Sequence, residues 1–181
     1  MRPSRSFVLA LALVSACANT PENRYLVLSP SPPAGPPAQS RAAAPLRVAA
    51  VRLPGLLDRP QLVIRTSAET VDIREYDRWA EPLDQMVPRV LAQDLALRTT
   101  SLGTGSERRL FVSIDEFATD TAGQSRLVGR WWVLTPGEDP DRRVERSFSL
   151  SVAAAGGQGD QVAAAMSLLV GQLADVIAVG A

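Results

Sequence analysis

The sequence contains neither histidine nor lysine: its nineteen basic residues are all arginines, balanced by nineteen acids in 181 residues. Histidine is the commonest general base near neutral pH and the commonest zinc ligand, so both roles lose their usual bearer. Without lysine there is no amine for a Schiff base and no P-loop. The formal net charge of zero supplies no basic field for nucleic acid. A single cysteine, Cys17, excludes an internal disulfide, so the fold must rest on packing. No serine lies in a nucleophile-elbow pattern, and no acidic run has the spacing of a calcium loop. These absences predict a protein that is not an enzyme and holds no metal.

What is present begins at the N-terminus. Arg2 and Arg5 precede an apolar run at 7–14 (FVLALALV), and Val14-Ser15-Ala16-Cys17 follows. A charged start, a short apolar stretch and small residues at a cut site read as an export signal. The run is far short of the ~20 residues that cross a bilayer as a helix. The tetrapeptide VSAC resembles the bacterial lipobox, in which cleavage falls between the residues that are here Ala16 and Cys17. The cysteine sulfur then carries diacylglycerol and its new amine an acyl chain such as palmitate, the only non-protein groups expected. An ordinary cleaved signal with a coincidental cysteine is the bland alternative. Two or more acyl chains hold stably, at about 0.8 kcal/mol per buried methylene. The polar stretch 18–24 reaches at most about 25 Å, which keeps the domain close to its membrane. Without residues 1–16 the chain is slightly acidic.

One domain, 25–181, is expected beyond this tether. Residues 25–28 (YLVL) read as a strand. Residues 29–45 (SPSPPAGPPAQSRAAAP) lack large apolar side chains and read as a flexible Pro/Ala-rich loop between strands. Further strands are expected at 46–53, at 61–66 and 70–76 as a hairpin, and at 110–117, 126–134 and 144–152 as an antiparallel meander. In the last of these Phe148, Leu150 and Val152 would face inward and Ser147, Ser149 and Ser151 outward. A helix over 83–98 carries Leu83, Val87, Val90, Leu91 and Leu95 on one face, with Pro82 suited to its first turn. Pro88 must lie within the first turn or kink the helix. A second helix over 161–179, capped by Asp160, buries Val162, Met166, Leu169, Leu173 and Ile177. The predicted class is α/β: a mostly antiparallel sheet with two amphipathic helices packed on one face.

Two blocks then stand out, 51–65 (VRLPGLLDRPQLVIR) and 76–95 (YDRWAEPLDQMVPRVLAQDL). The strand ending at Pro54, the turn Leu57-Asp58-Arg59-Pro60, the hairpin, Trp79 and the helix start Pro82-Leu83-Asp84-Gln85 resemble the PqiC/YmbA family of lipoproteins. The opening YLVLSP, the strand VSIDEF at 112–117 and the closing helix fit as well; Pro88 is a departure. The resemblance implies an auxiliary component of an ABC-type transport system built around MCE proteins. It implies a lipoprotein on the periplasmic face of the outer membrane that receives a periplasm-spanning partner and supports lipid transport and membrane integrity. Ala18, where an aspartate would signal retention at the inner membrane, accords with that location. A domain that itself holds an acyl chain is the alternative.

Trp79, Pro82, Asp84 and Gln85 read as a partner-binding edge or as a helix entry, with Asp84 or Gln85 engaging free backbone N–H groups. Trp131 and Trp132, adjacent in a strand, must face opposite sides of the sheet. One is expected in the core, the other under a helix or exposed as an interface anchor. Asp115 and Glu116 are expected to point apart for the same reason. Asp139 and Asp141 read as turn residues. Arg142, Arg143 and Arg146 read as a solvated strand face or a headgroup contact. An open sheet edge leaves pairing with a second copy possible.

Overall fold

The computed structural model describes residues 21–33, 35, 44–99 and 105–181. Ala16 and Cys17 lie outside these residues, as do 34 and 36–43 of the Pro/Ala-rich segment. Among these described residues seven strands form one sheet: β1 (Arg24–Leu26), β2 (Leu46–Arg52), β3 (Gln61–Arg65), β4 (Val71–Trp79), β5 (Arg108–Asp120), β6 (Gln124–Leu134) and β7 (Arg146–Ala153). Among the described residues the two helices are α1 (Leu83–Arg98) and α2 (Gly159–Gly180). The strand order is β1-β4-β3-β5-β6-β7. The expected meander is β5-β6-β7, and the expected hairpin is β3-β4. Antiparallel pairs carry most of the register, while β1 on β4, β2 on β5 and β3 on β5 are parallel.

Strand β5 organises the sheet. β6 follows one of its edges from Arg109 to Thr119. The other edge is shared: β2 pairs with 108–113 and β3 only with Thr119 and Asp120. Inward residues along β5 alternate as Leu110, Val112 and Ile114, then resume as Phe117 and Thr119. The parity change comes from a bulge between Ile114 and Glu116. Such a bulge puts two residues opposite one. Asp115 and Glu116 are therefore both outside the inward set, which corrects the expectation that they point apart. Glu116 pairs with Arg65 at 3.5 Å.

The helices pack on each other and on the sheet, and their predicted stripes are buried in one core with Phe117, Leu127, Trp131 and Phe148. α2 is long and apolar enough to cross a bilayer, but most of that stretch is buried here against α1 and the sheet. Helix α1 runs unbroken through Pro88 in its second turn, so the proline neither falls in the first turn nor ends the helix. Pro82 sits one residue earlier than expected, as an extended N-cap whose carbonyl accepts from the N–H groups of Gln85 (3.1 Å) and Met86 (3.0 Å). The side chains of Asp84 and Gln85 make no capping hydrogen bond, against expectation. At α2 the cap is Gln158 rather than Asp160, which lies in the first turn; Gln158 N–H donates to Gln161 Oε1 at 3.3 Å.

The start of the Pro/Ala-rich segment is tied across both helices. Leu28 N–H reaches Met86 Sδ (2.9 Å), Ser29 N–H reaches Ser167 Oγ (3.1 Å) and Ser31 N–H reaches Asp94 Oδ1 (2.8 Å). Arg98 donates to the carbonyl of Ser31 at 3.0 Å and to Asp94 and Asp175 at 3.2 and 2.6 Å. The strap thus finds partners for its backbone groups among helix side chains, as buried polar groups require.

Candidate functional site

The two blocks singled out in the sequence meet in space. β2 ends level with Ser113 of β5, whereas β3 first touches β5 at Thr119, so the connection 53–60 spans a gap at the sheet edge. Pro54 is extended and is followed by a 3-10 turn at Gly55–Leu57, closed by Leu57 N–H to Pro54 O at 2.9 Å. Leu57 is buried by that turn, and Arg59 Nε donates to Leu56 O at 2.9 Å. Pro60 then offers its carbonyl to Trp79 N–H at 2.6 Å, which joins the first block to the second. The next residue, Ala80, donates to Leu26 O at 2.8 Å, locking the end of β4 to β1. Trp79 is only 4% exposed and forms part of the core.

Between these segments lies an open cleft of about 540 Å³. Leu53, Pro54, Leu57, Pro60, Trp79 and Leu83 line it, and Asp58, Arg59, Glu81 and Asp84 also border it. Glu81 is ion-paired with Arg89. The charged residues are acidic on balance, around apolar walls. Such a site suits an extended apolar segment flanked by positive charge. Among the described residues, no cluster of three potential metal ligands is present.

Of the candidate residues, Trp79, Pro82 and Asp84 come together on this cleft, and Gln85 is exposed on the same helical turn without lining it. Trp131 and Trp132 lie elsewhere and, as expected, on opposite faces. Trp131 is 3% exposed, on the helix side, with the Arg146 guanidinium 5.2 Å from its ring. Trp132 is half-buried on the outer face, stacked on Phe111 with ring centroids 5.6 Å apart. The guanidinium carbons of Arg109 and Arg143 lie 5.3 Å from the Phe111 ring and 5.2 Å from the Trp132 ring, respectively. Arg142 and Arg143 therefore belong to a turn rather than a strand face, and Arg143 is engaged by Trp132 and by Glu145 at 2.8 Å. Asp139 accepts from Asp141 N–H at 3.0 Å, the local bond expected of a turn aspartate.

Two groups were not anticipated. The turn 53–60 supplies half of the cleft wall, although its sequence was already conspicuous. The buried trio Ser31, Asp94 and Arg98 had one signal: Asp94 and Arg98 are spaced i, i+4 along the apolar stripe of α1, where charge is out of place. Asp94 is fully buried, and burial pushes its carboxyl above the usual 3.8, with Ser31 N–H and the Arg98 guanidinium pulling partway back.

Solved structures share this fold, two of them over most of the chain. One, an uncharacterized protein, superposes with a TM-score of 0.70 at 22% identity over 88% of this chain and 99% of its own. The other, a Xanthomonas campestris protein of the DUF330 family, gives 0.69 at 17% identity over 86% and 92%. At these identities the likeness speaks for the fold alone. Comparison with curated proteins gives no match. The sequence from 25 to 178, which takes in both cleft-forming blocks, matches the family described as the ABC-type transport auxiliary lipoprotein component. With that match over nearly the whole domain, the chain belongs to the ABC-type transport auxiliary lipoprotein family.

Proposed function

We propose that this protein is an outer-membrane lipoprotein, anchored through acylated Cys17 on the periplasmic face, that docks an MCE-type, periplasm-spanning partner of an ABC-type lipid transport system. Its role is positional: the acyl chains fix the domain at the bilayer, and the cleft between 53–60 and 79–84 receives a segment of the partner. One observation carries the reading. The two sequence blocks that stand out within the family match converge on one open cleft, joined by the Trp79–Pro60 hydrogen bond. The acidic border favours a partner segment that carries arginine or lysine beside its apolar residues.

The test is photo-crosslinking in cells with Asp84→p-benzoylphenylalanine, and Ser149→p-benzoylphenylalanine on the exposed outer strand face as control. The reading expects an adduct with an envelope transport protein from position 84 and none from 149. Equal labelling from both positions, or none from 84, contradicts it. The second reading, a domain that holds an acyl chain itself, has one favourable observation in the apolar walls of the same cleft. Co-purified lipid lost on Leu57→Asp substitution would favour it.

A further inference from the structure

The surface where the chain enters the domain is apolar. Tyr25 is 67% exposed, Val27 54% and Leu168 of α2 47%. With Pro30, Pro32 and Ala164 they surround a shallow depression of about 450 Å³ between the strap and α2. Grouped exposed apolar side chains of this kind mark a surface that meets something apolar. Among the described residues charge is nearly absent from the depression, with Asp160 the one acid lining it. Arg24, at the entry point, is already engaged by Asp77 through Nε (2.7 Å) and Nη2 (3.1 Å).

We propose that this Tyr25–Val27–Leu168 patch lies against the bilayer to which Cys17 is anchored, seating the domain on the membrane in one orientation. The inference rests on the lipid-anchor reading. What covers the patch follows from the chain itself. Only seven residues, 18–24, separate Tyr25 from the acylated position. Even a random coil of that length would have a root-mean-square span of only about 15 Å, and a fully extended chain would reach at most about 25 Å. The patch, which opens at Tyr25 directly after this segment, is thereby kept within reach of the headgroups. Tethering turns a weak contact into an intramolecular one at high effective concentration, so three partly inserted side chains suffice. Tyrosine suits the headgroup level, where its ring is apolar and its hydroxyl stays wet. With Arg24 engaged and no basic cluster among the described residues of the depression, the contact should depend little on anionic lipid or on salt.

The cleft at 53–60 and 79–84 has its own lining residues, none shared with this depression. The domain can therefore hold the membrane with one surface and a partner with the other.

The natively lipidated chain, reconstituted into phosphatidylcholine vesicles containing brominated acyl chains, tests this. Tyr25→Trp adds a reporter at the patch and Ser149→Trp a control on the outer sheet face, each compared with the unsubstituted chain. The proposal expects the reporter at 25 to be quenched at least about twofold more than the one at 149, since acyl-chain bromines quench only side chains that come close to them, as one seated at the headgroup/acyl boundary does. It expects the difference to persist in high salt and to vanish when Val27→Glu and Leu168→Glu are added. Equal quenching at 25 and 149 overturns it. A chain starting at Cys17 and coupled there to a maleimide lipid reports on the patch independently of cellular acylation. Intact mass without acyl chains would remove the anchor, and the membrane as native occupant, whereas equal quenching in the coupled chain would remove the patch alone.

Discussion

Trp79 and Pro60, 19 positions apart, are joined by a backbone hydrogen bond of 2.6 Å, which brings the two sequence blocks onto one cleft. The Trp79 side chain belongs to the core, whereas Asp58 and Asp84 are exposed. Fold and docking should therefore separate by mutation. Trp79→Ala is expected to cost about 3–5 kcal/mol, the range for losing a buried aromatic, and to reduce the amount of folded protein. Asp58→Arg should change stability by no more than about 0.5 kcal/mol, yet abolish partner cross-linking from p-benzoylphenylalanine at position 84. Urea denaturation read beside cross-linking checks both halves.

Ser31 is seated directly on Gly171, so that a side chain at 171 would collide with the Ser31 hydroxyl and meet Arg98 Nη2 at 3.1 Å. In a free helix Gly→Ala stabilises by about 1 kcal/mol. Here overpacking at about 1–3 kcal/mol should win. Gly171→Ala is thus expected to destabilise, and Ser31→Gly in the same chain to recover part of the loss. A double-mutant cycle in urea measures that coupling; additive effects would place the strap elsewhere.

Arg98 is the cation of a buried cluster that includes Asp94, and removing one member of such a pair strands the other. Arg98→Met is expected to cost about 3–5 kcal/mol. The Asp94 carboxyl is raised above 3.8, chiefly by burial, so the folded state holds its proton at higher pH than the unfolded chain. Its contribution is therefore most favourable below 3.8 and weakens as pH rises through the raised value. Asp94→Asn cannot titrate. The stability difference between the natural chain and this variant should shift in favour of the natural chain as pH falls through that window. Parallel pH profiles would contradict the assignment.

Adjacent tryptophans on opposite faces should respond unequally. Trp131 fills the core beneath the end of α2, where a side chain on Gly180 would come within 3.0 Å of its ring. Trp131→Ala is expected to cost about 3–5 kcal/mol. Trp132 stacks on Phe111 at the surface, and aromatic pairs of this kind contribute about 0.5–1.5 kcal/mol beyond burial. Trp132→Ala should accordingly cost about half as much or less, which thermal denaturation of the two variants will rank.

Periodicity made most of the fold legible. The α1 range, both helical stripes, the β3-β4 hairpin and the meander follow from alternation and 3.6-residue spacing. The parallel pairings of β1, β2 and β3 were not legible, because a strand carries no record of which neighbour it will meet. The bulge at Asp115 hid for a related reason: it adds one residue without changing composition. Pro88 was tolerated because tertiary packing of α1 outweighs one lost helical hydrogen bond. The cleft was half legible, since Trp79, Pro82 and Asp84 were singled out while the wall at 53–60 needed the fold to bring it across. Ser31 reads as one more residue of a proline-rich loop until Asp94 and Arg98 are seen to receive its backbone.

The most direct test of the account as a whole is intact mass joined to membrane fractionation, comparing the natural chain with Cys17→Ala. The account predicts that the natural chain begins at Cys17, carries the mass of three acyl chains and sediments with the outer membrane, and that the variant is released in soluble form. A natural chain that is unacylated and soluble, or that sediments with the inner membrane, would contradict it.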